Sequence, residues 1–527
     1  MTAFSRRALL TGGTALAATA ALPATLSLSP TAAAAPRQAG GRPDRAVLQR
    51  WARRTWASLV AMTDERTGLS ADNIDGPLDA PNRSGYTSPT NIGGYLWSTI
   101  VARDLGLISR GEASRRLSQT LDTLSRMRRH GPSGMFYNWY DERTAEVLTS
   151  WPTDGKTVYP FLSSVDNGWL AAAFVVLGNA AEPSIGRRAL RLLEPMDFRA
   201  YYNPTPRPDL PVGLLRGGFW PEKPPTPSDT VEANYLGRGP NVFYTNFHYD
   251  TTVSETRIAS YLGIARGQIP PGHFFGTWRT FPSGCDWSWQ ESRPVGRTRT
   301  YLGVDVFEGA YEYRGFRVVP GWGGSMFEAL MPNVFVPEER WAPHSWGVNH
   351  PLMVRAHREH GLDEAKYGFW GFSPASDPTL DQGYREYGVD AVGLNPDGYF
   401  SDVEKTNVDR GFGDCREAKN PNPTYGDGVV TPHAAFLAMM HEPGPAYANL
   451  RKLEREFDCT SDGGFFDAIA VGSGKVARRF LSLDQAMIMG ALGNLLGRGL
   501  VQRAFSRGAI ERAIKPLIGM ERFGAGS

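Results

Sequence analysis

The sequence predicts an all-α fold, a helical barrel with long aromatic-rich loops and a few short strands. Three observations lead there. Apolar residues recur at helical spacing in successive paired segments, the pattern of helical hairpins. The connections between them are long and carry many of the 59 Gly, 39 Pro, 14 Trp and 20 Tyr residues. Strand and helix signals never alternate in the way a doubly wound sheet demands. At 527 residues the chain can bury a large core, and no fixed-period repeat divides it.

The chain opens with Ser5-Arg6-Arg7-Ala8-Leu9-Leu10, a twin-arginine pattern, followed by an Ala/Leu/Thr run that closes at Thr31-Ala32-Ala33-Ala34-Ala35-Pro36. A basic start, an apolar middle and a small-residue end describe a signal peptide over residues 1–35. This predicts export in folded form by a bacterium, to the periplasm or beyond. Residues 36–43 read as a linker and 44–527 as one domain. No later stretch reaches the roughly 18 apolar residues of a membrane span.

Asp44 is placed to cap a helix reaching Met62, with Val47, Trp51, Trp56, Leu59 and Val60 as its apolar residues. Residues 64–90 read as polar loop. Thr87-Ser88-Pro89-Thr90-Asn91 opens a helix through Leu105, and another spans about 111–128. Further helices are expected near 165–178, 184–195, 252–266, 345–360, 432–441, 446–457 and 483–497. Strand-like runs occur at 300–307 and 315–320.

The balance of charge excludes some functions. A net charge of +2 without like-charge blocks leaves no nucleic-acid footprint. Cys285, Cys415 and Cys459 match no metal motif, so they are expected to be small buried apolar residues, and neither a metal nor a cofactor is expected. There is no G-x-S-x-G elbow, no H-E-x-x-H and no phosphate-binding G-x-x-x-x-G-K-[ST]. What remains is carboxylates set among aromatics, the equipment of glycoside chemistry.

The sharpest case is residues 316–332, F-R-V-V-P-G-W-G-G-S-M-F-E-A-L-M-P. A strand-like run leads into a Gly-Trp-Gly-Gly loop, and Ser325 caps a short apolar helix containing one acid, Glu328. An isolated carboxylate among Met, Phe and Leu is costly to bury unless paired or used. The glycines beside Trp322 would leave room for a flat sugar ring. A Glu pointing to solvent is the plain alternative. Phe136-Tyr137-Asn138-Trp139-Tyr140-Asp141 joins stacking faces to an amide and an acid, as a sugar subsite does, or forms a strand edge with a surface Asp. Asp166 and Asn167 in Ser163-Ser164-Val165-Asp166-Asn167-Gly168 open a helix and serve either as ordinary caps or as hydroxyl ligands. Glu255 in Thr252-Val253-Ser254-Glu255 has capping-box spacing, which leaves its role open. His248, Tyr249, Asp250, Trp346 and Asp286, just ahead of Trp287 and Trp289, sit at similar junctions. So do Tyr425-Gly426-Asp427-Gly428, Thr431-Pro432-His433 and Leu483-Asp484-Gln485.

Ten motifs then fall in one order: T-S-P-T-N-I-G-x-Y (87–95), F-Y-N-W-Y-D (136–141), S-S-V-D-N-G (163–168), S-E-T-R-I-A-S-Y (254–261), S-M-F-E-A-L-M-P (325–332), W-G-x-N-H (346–350), Y-G-F-W-G-F-S-P (367–374), Y-R-E-Y-G-V-D (384–390), Y-G-D-G-V-V-T-P-H (425–433) and L-S-L-D-Q (481–485). Together they resemble the bacterial glucoamylase-like glycoside hydrolases, which include endo-β-1,2-glucanases and the cyclising domain of cyclic β-1,2-glucan synthases. The resemblance runs over about 45–505.

The resemblance implies an (α/α)6 barrel, a polysaccharide or oligosaccharide substrate with β-1,2-glucan foremost, and no cofactor. It implies that Glu255 acts as acid/base and Glu328 as nucleophile, as in synthase-type relatives. In inverting glucanase-type relatives Asp141 or Asp166 would be the base. Asn138, Trp139, Tyr140, Asp166, Asn167, Trp322, His248 and Trp346 are the expected substrate-binding residues. A Pro-rich segment at about 202–240 departs from the shorter glucanases, and the chain has no glucosyltransferase domain or membrane region. Transglycosylation, or cleavage of another glycan, is the alternative within enzymes; an exported carbohydrate-binding protein is the alternative outside them.

Overall fold

The structure is a computed structural model that describes residues 41–281, 292–380, 383–394 and 425–526. Helices dominate it. Helix α1 (Arg45–Met62) starts where Asp44 accepts the Ala46 N–H at 2.7 Å. Ser88 caps α2 (Pro89–Asp104), Ser109 caps α3 (Arg110–Arg126) and Ser163 caps α4 (Ser164–Ala180), each through its hydroxyl. Then come α5 (Pro183–Leu193), α6 (Arg257–Ala265), α7 (Met326–Leu330) and α8 (Trp346–Glu359). Helices α9 (Pro432–Ala438), α10 (Pro443–Glu456), α11 (Ser482–Leu496), α12 (Leu500–Phe505) and α13 (Ala509–Gly519) follow.

The helices fall into two burial classes, and the sequence pattern dictates which. Helices α2 and α11 are apolar or small on every face and are buried on every face, so neither has a side to show to water. Helices α3 and α10 instead bury a single stripe, Ala113-Leu117-Leu121-Leu124 in the first and Ala446-Leu450-Leu453 in the second. The all-round apolar helices pack in sequence: α2 on α4, α4 on α6, α7 on α9, α9 on α11, and α11 back on α2. Arg257 joins α6 to α7 by donating to the carbonyls of Glu328 and Ala329. The striped helices α1, α3, α5 and α10 lie against this circuit from outside. Small residues let the inner helices approach. A Cβ on Gly94 would lie 2.7 Å from the Ala486 methyl, and one on Gly168 would lie 3.1 Å from that of Ala259.

Strands are more numerous than the sequence predicts, but each is only two to four residues long and belongs to a loop. The Pro-rich segment contributes to a four-stranded antiparallel sheet. Its members are β1 (Leu162–Ser163), β2 (Gly218–Trp220), β3 (Val231–Ala233) and β4 (Val242–Tyr244), in the order β1-β2-β4-β3. Two hairpins follow, β5 (Thr298–Tyr301) with β6 (Val304–Phe307) and β7 (Tyr311–Tyr313) with β8 (Phe316–Val318). Strand β9 (Gly321–Trp322) pairs in parallel with β10 (Gly393–Leu394). A last sheet orders β11 (Val429–Val430), β12 (Ala468–Ala470) and β13 (Lys475–Ala477). The helix expected over 252–266 begins only at Arg257, because residues 252–256 form turns. Cys459 is buried with a free thiol, as expected for a small core residue. Cys285, Cys415, Asp286, Trp287 and Trp289 lie outside the described residues, as does the 1–35 segment. No helix among the described residues is long and apolar enough to cross a membrane.

Candidate active site

Each inner helix carries a buried polar or acidic residue at or just before its first turn. These are Thr90 on α2, Asp166 on α4, Glu255 ahead of α6, Glu328 on α7, His433 on α9 and Asp484 on α11. Contacts between neighbours gather these ends together. The Thr90 hydroxyl donates to Asp166 Oδ1 at 2.7 Å. Trp169 Nε1 on α4 donates to Glu255 Oε2 at 2.5 Å, and the Glu255 backbone N–H donates to Glu328 Oε2 at 2.7 Å.

These bonds decide what the spacing left open. Glu255 is no capping-box residue, because its side chain turns away from its own helix to the indole of Trp169. Glu328 does not face solvent; it is 8% exposed, and its carboxyl meets the Glu255 turn. Burial raises its pKa, and the negative charge of Glu255 and then of Glu386 adds to the rise. The Glu255 N–H and the Ser254 hydroxyl pull the other way without cancelling it, and the carboxyl sits at about 8. Burial and the neighbouring charge thus favour the protonated form of Glu328 at neutral pH.

An arginine holds the two turns in place. Arg257 forms a fork with Glu338, Nε to Oε1 at 2.7 Å and Nη2 to Oε2 at 2.9 Å. It also donates to the carbonyls of Ser254, Glu328 and Ala329. Five charge-assisted bonds from one planar group fix the residues flanking both carboxyls. Burial alone would raise the Glu338 carboxyl, but Arg257 and then His350 hold it down to about 2. Tyr261 donates to Glu338 Oε1 at 2.7 Å, and the Arg257 guanidinium stacks 4.4 Å over the Trp346 ring.

Several expected residues prove to be supports. Trp346 is fully buried between Arg257, His350 and Phe523, so it offers no face to a sugar. Tyr140 is fully buried too; its hydroxyl donates to the Arg128 carbonyl at 2.6 Å and accepts the Tyr137 N–H at 2.8 Å. Asn167 is at 0% exposure, its amide tied to Phe136 N, Phe136 O and Ser163 O. Asp141 caps its own turn, accepting from Arg143 N at 2.8 Å and Thr144 N at 3.0 Å, and pairs with the Arg143 side chain. Those bonds lower its pKa against its partial burial, which makes it an anion tied to its own turn. Trp139 packs edge-on into a cluster with Tyr86 and Trp151.

Others keep polar contacts of their own. Asp166 Oδ2 accepts from the Asn138 amide at 2.9 Å, with that amide oriented so that its oxygen also takes the Trp139 Nε1 proton. Trp322 on β9 is half-buried, and its N–H donates to Val253 O, two residues before Glu255. His248 sits 3.0 Å from the Asn203 amide; burial, then Arg216 and Arg207, push its pKa down to about 3, so the ring is neutral. The glycines beside Trp322 answer to the chain itself and not to a sugar. A Cβ on Gly324, whose φ is +59°, would lie 2.0 Å from Val389 O.

Sequence reasoning passed over Trp169, Arg257 as an anchor, Glu338 and Glu386. Two of them had a visible signal, since Trp169 immediately follows the S-S-V-D-N-G run and Glu386 is the only acid in Y-R-E-Y-G-V until Asp390. Glu338 had none.

Comparison with known proteins fits this picture. Residues 298–509 match the family model named Glycoamylase and described as "Putative glucoamylase", and residues 50–194 match a family of unknown function, DUF3131. The cyclic β-(1,2)-glucan synthase NdvB of Rhizobium meliloti (strain 1021) is 25% identical over 607 aligned positions. That alignment covers 89% of this chain but only 18% of the synthase, so the chain spans less than a fifth of that relative's length. The endo-β-1,2-glucanase of Chitinophaga pinensis, solved with sophorotriose and glucose, superposes with a TM-score of 0.61 at 15% identity, covering 90% of this chain and 97% of that one. The endo-β-1,2-glucanase of Talaromyces funiculosus, solved with sophorose, gives 0.61 at 12% identity, covering 91% of each. The mostly helical fold is thus the one these glucanases share, and residues 298–509 are similar to the glucoamylase-like family model.

Proposed function

We propose that the chain is an exported glycoside hydrolase cleaving a glucan-type polysaccharide or oligosaccharide, with β-1,2-glucan as the first candidate, and that Glu328 and Glu255 are its carboxyl pair. The observation that carries this reading is the contact of two buried carboxyl-bearing turns, the Glu255 N–H donating to Glu328, whose pKa burial and then the Glu255 charge raise to about 8. Glycoside cleavage requires one carboxyl protonated and one ionised at the same pH. On this reading Glu328 gives its proton to the leaving glycosidic oxygen. Glu255, oriented by Trp169, bears the charge that faces the anomeric carbon or its water. Arg257 is a positioning residue that keeps both turns in register. The circuit α2-α4-α6-α7-α9-α11, with striped helices outside it, is read as an (α/α)6 toroid whose inner helix N-termini form the substrate end.

Glucanase neighbours solved with sophorose and sophorotriose support the choice of linkage. The twin-arginine run supports export, and N-terminal sequencing of the secreted chain would show whether cleavage falls near Ala35. The test of function is incubation of the mature protein with linear β-1,2-glucan, products being followed by chromatography and proton NMR. Short oligosaccharides that vanish in Glu255→Gln and Glu328→Gln are the expected result. No product from β-1,2-glucan or from a panel of other glucans would refute it. The synthase relative favours a second reading, transglycosylation, which the same assay would report as cyclic or lengthened products.

A further inference from the structure

The structure assigns a second group of ligand atoms among the same inner-helix starts as the carboxyl pair, and we propose that His433, Asp467 and Asp484 bind one divalent cation of the Zn²⁺ class. Each offers a ligand atom, one imidazole nitrogen and two carboxylate oxygens, and the three atoms lie within 4.8 Å of one another. All three residues are buried, at 1%, 2% and 4% exposure. They come from three elements that the fold brings together by different means. His433 is the second residue of α9, Asp484 the third of α11, and the two helices pack side by side. Asp467 precedes β12, which is antiparallel to β11 with Val430 opposite Ile469, so the residue just before β12 meets the start of α9.

Two observations point to a ligand and not to an ordinary polar contact. His433 Nδ1 stands 3.6 Å from Asp484 Oδ2, too far for a hydrogen bond. Zinc holds nitrogen and oxygen ligands at about 2.0–2.2 Å, which in a tetrahedron sets ligand atoms roughly 3.3–3.5 Å apart. The observed gap is close to that spacing. Second, Asp467 uses one oxygen to accept the Ser376 N–H at 2.6 Å, while its other, Oδ1, is buried without a hydrogen-bond partner among the described residues. The hydroxyl of Thr431, fully buried two residues before His433, is in the same condition. A buried carboxylate oxygen left so is costly, and a cation at the cluster would satisfy it. One imidazole with two carboxylates suits Zn²⁺ or Mn²⁺ better than Ca²⁺, which prefers six to eight oxygens.

The site adjoins the catalytic end through residues 371–372. Gly371 O accepts the Thr431 N–H at 2.9 Å, and Phe372 O accepts the N–H of Met326, at the start of the helix that carries Glu328. A cation there would fasten α9, α11 and the β12 loop, and through 371–372 the α7 turn.

The test is metal content by mass spectrometry on the full mature chain, freed of any histidine tag, dialysed against chelator and reloaded with Zn²⁺. About one Zn²⁺ per chain is expected, with a thermal midpoint several degrees higher than the chelated protein and metal loss in His433→Gln and Asp484→Asn. Asp427→Asn, at a half-buried acid two residues before β11, should keep its metal. Should the cluster variants fail to fold, Co²⁺ loading of the wild type gives a second readout, a visible spectrum of a four- or five-coordinate N/O site. Less than a tenth of an equivalent bound, no midpoint change on reloading, or folded cluster variants that retain the metal would each overturn the assignment. Neither result depends on which glycan the enzyme cleaves.

Discussion

Glu328→Gln should make the protein more stable and inactive at once, and the gain should grow with pH. The Glu328 carboxyl sits at about 8 in the fold against an ordinary value of 4.5, chiefly through burial and then through the Glu255 charge. Its folded pKa is raised, so the stability it contributes is fully present below about 4.5 and is lost as pH climbs through about 8. Taking 8 − 4.5 as about 3.5 pH units at 1.36 kcal/mol each gives about 5 kcal/mol lost between pH 4.5 and 8, an upper bound because proteins relax around a buried charge. Gln has the shape of a protonated Glu and can still accept the Glu255 N–H, so it escapes this penalty. At about 2.1 cal/mol/K of unfolding entropy per residue, a chain of this length shifts its midpoint by roughly 1 °C per kcal/mol. Scanning calorimetry at pH 5 and pH 9 should therefore show the variant gaining up to roughly 5 °C on the wild type between the two. A gap that stays flat with pH would refute the raised carboxyl, and with it the reasoning for Glu328 as proton donor.

Other consequences follow from the same geometry. The alkaline limb of kcat/KM on β-1,2-glucan should fall with an apparent pKa near 8, as the pair loses its proton; a limb set only by the acid range would contradict this. Trp169→Phe removes the indole donor to Glu255 and should lower kcat by roughly 10- to 100-fold, the worth of a hydrogen bond to a charged group, as steady-state kinetics would read. Arg257→Lys keeps a charge but loses the fork to Glu338, leaving a buried carboxylate poorly paired. A loss of about 3–5 kcal/mol in stability is expected, read from the thermal midpoint together with kcat. Asp141→Asn should leave kcat/KM within about twofold, since that acid caps its own turn; a 100-fold loss would restore it as a catalytic base.

Much of the candidate site was legible because local chemistry marked it. Glu328 stood out as the one acid in an apolar five-residue helix, and Ser325 announced the cap. Asp166 was readable at the start of α4 for the same reason, as was Glu255 just before α6. Aromatic richness was a poorer guide. Tyr140 and Trp346 look like sugar platforms in the sequence, yet a large helical core needs such residues to fill it, and the fold buries both completely. Side-chain type records what a residue can do, while exposure decides whether it does so to a ligand or to a neighbour.

The sequence by itself marked most of the helices, though not α12 or α13. A segment without a polar face can only be an inner helix, and a striped one such as α3 can only lie outside, because burial of apolar surface is read directly from periodicity. It determined the carriers of charge at the helix starts. It did not determine which of those charges meet. That Glu255 touches Glu328 through a backbone N–H, that Glu338 rather than a nearer acid receives Arg257, and that His433 faces Asp484 and Asp467 all depend on the tertiary structure. The physical reason is that electrostatic effects fall with distance in space and rise with burial, and neither quantity is written along the chain.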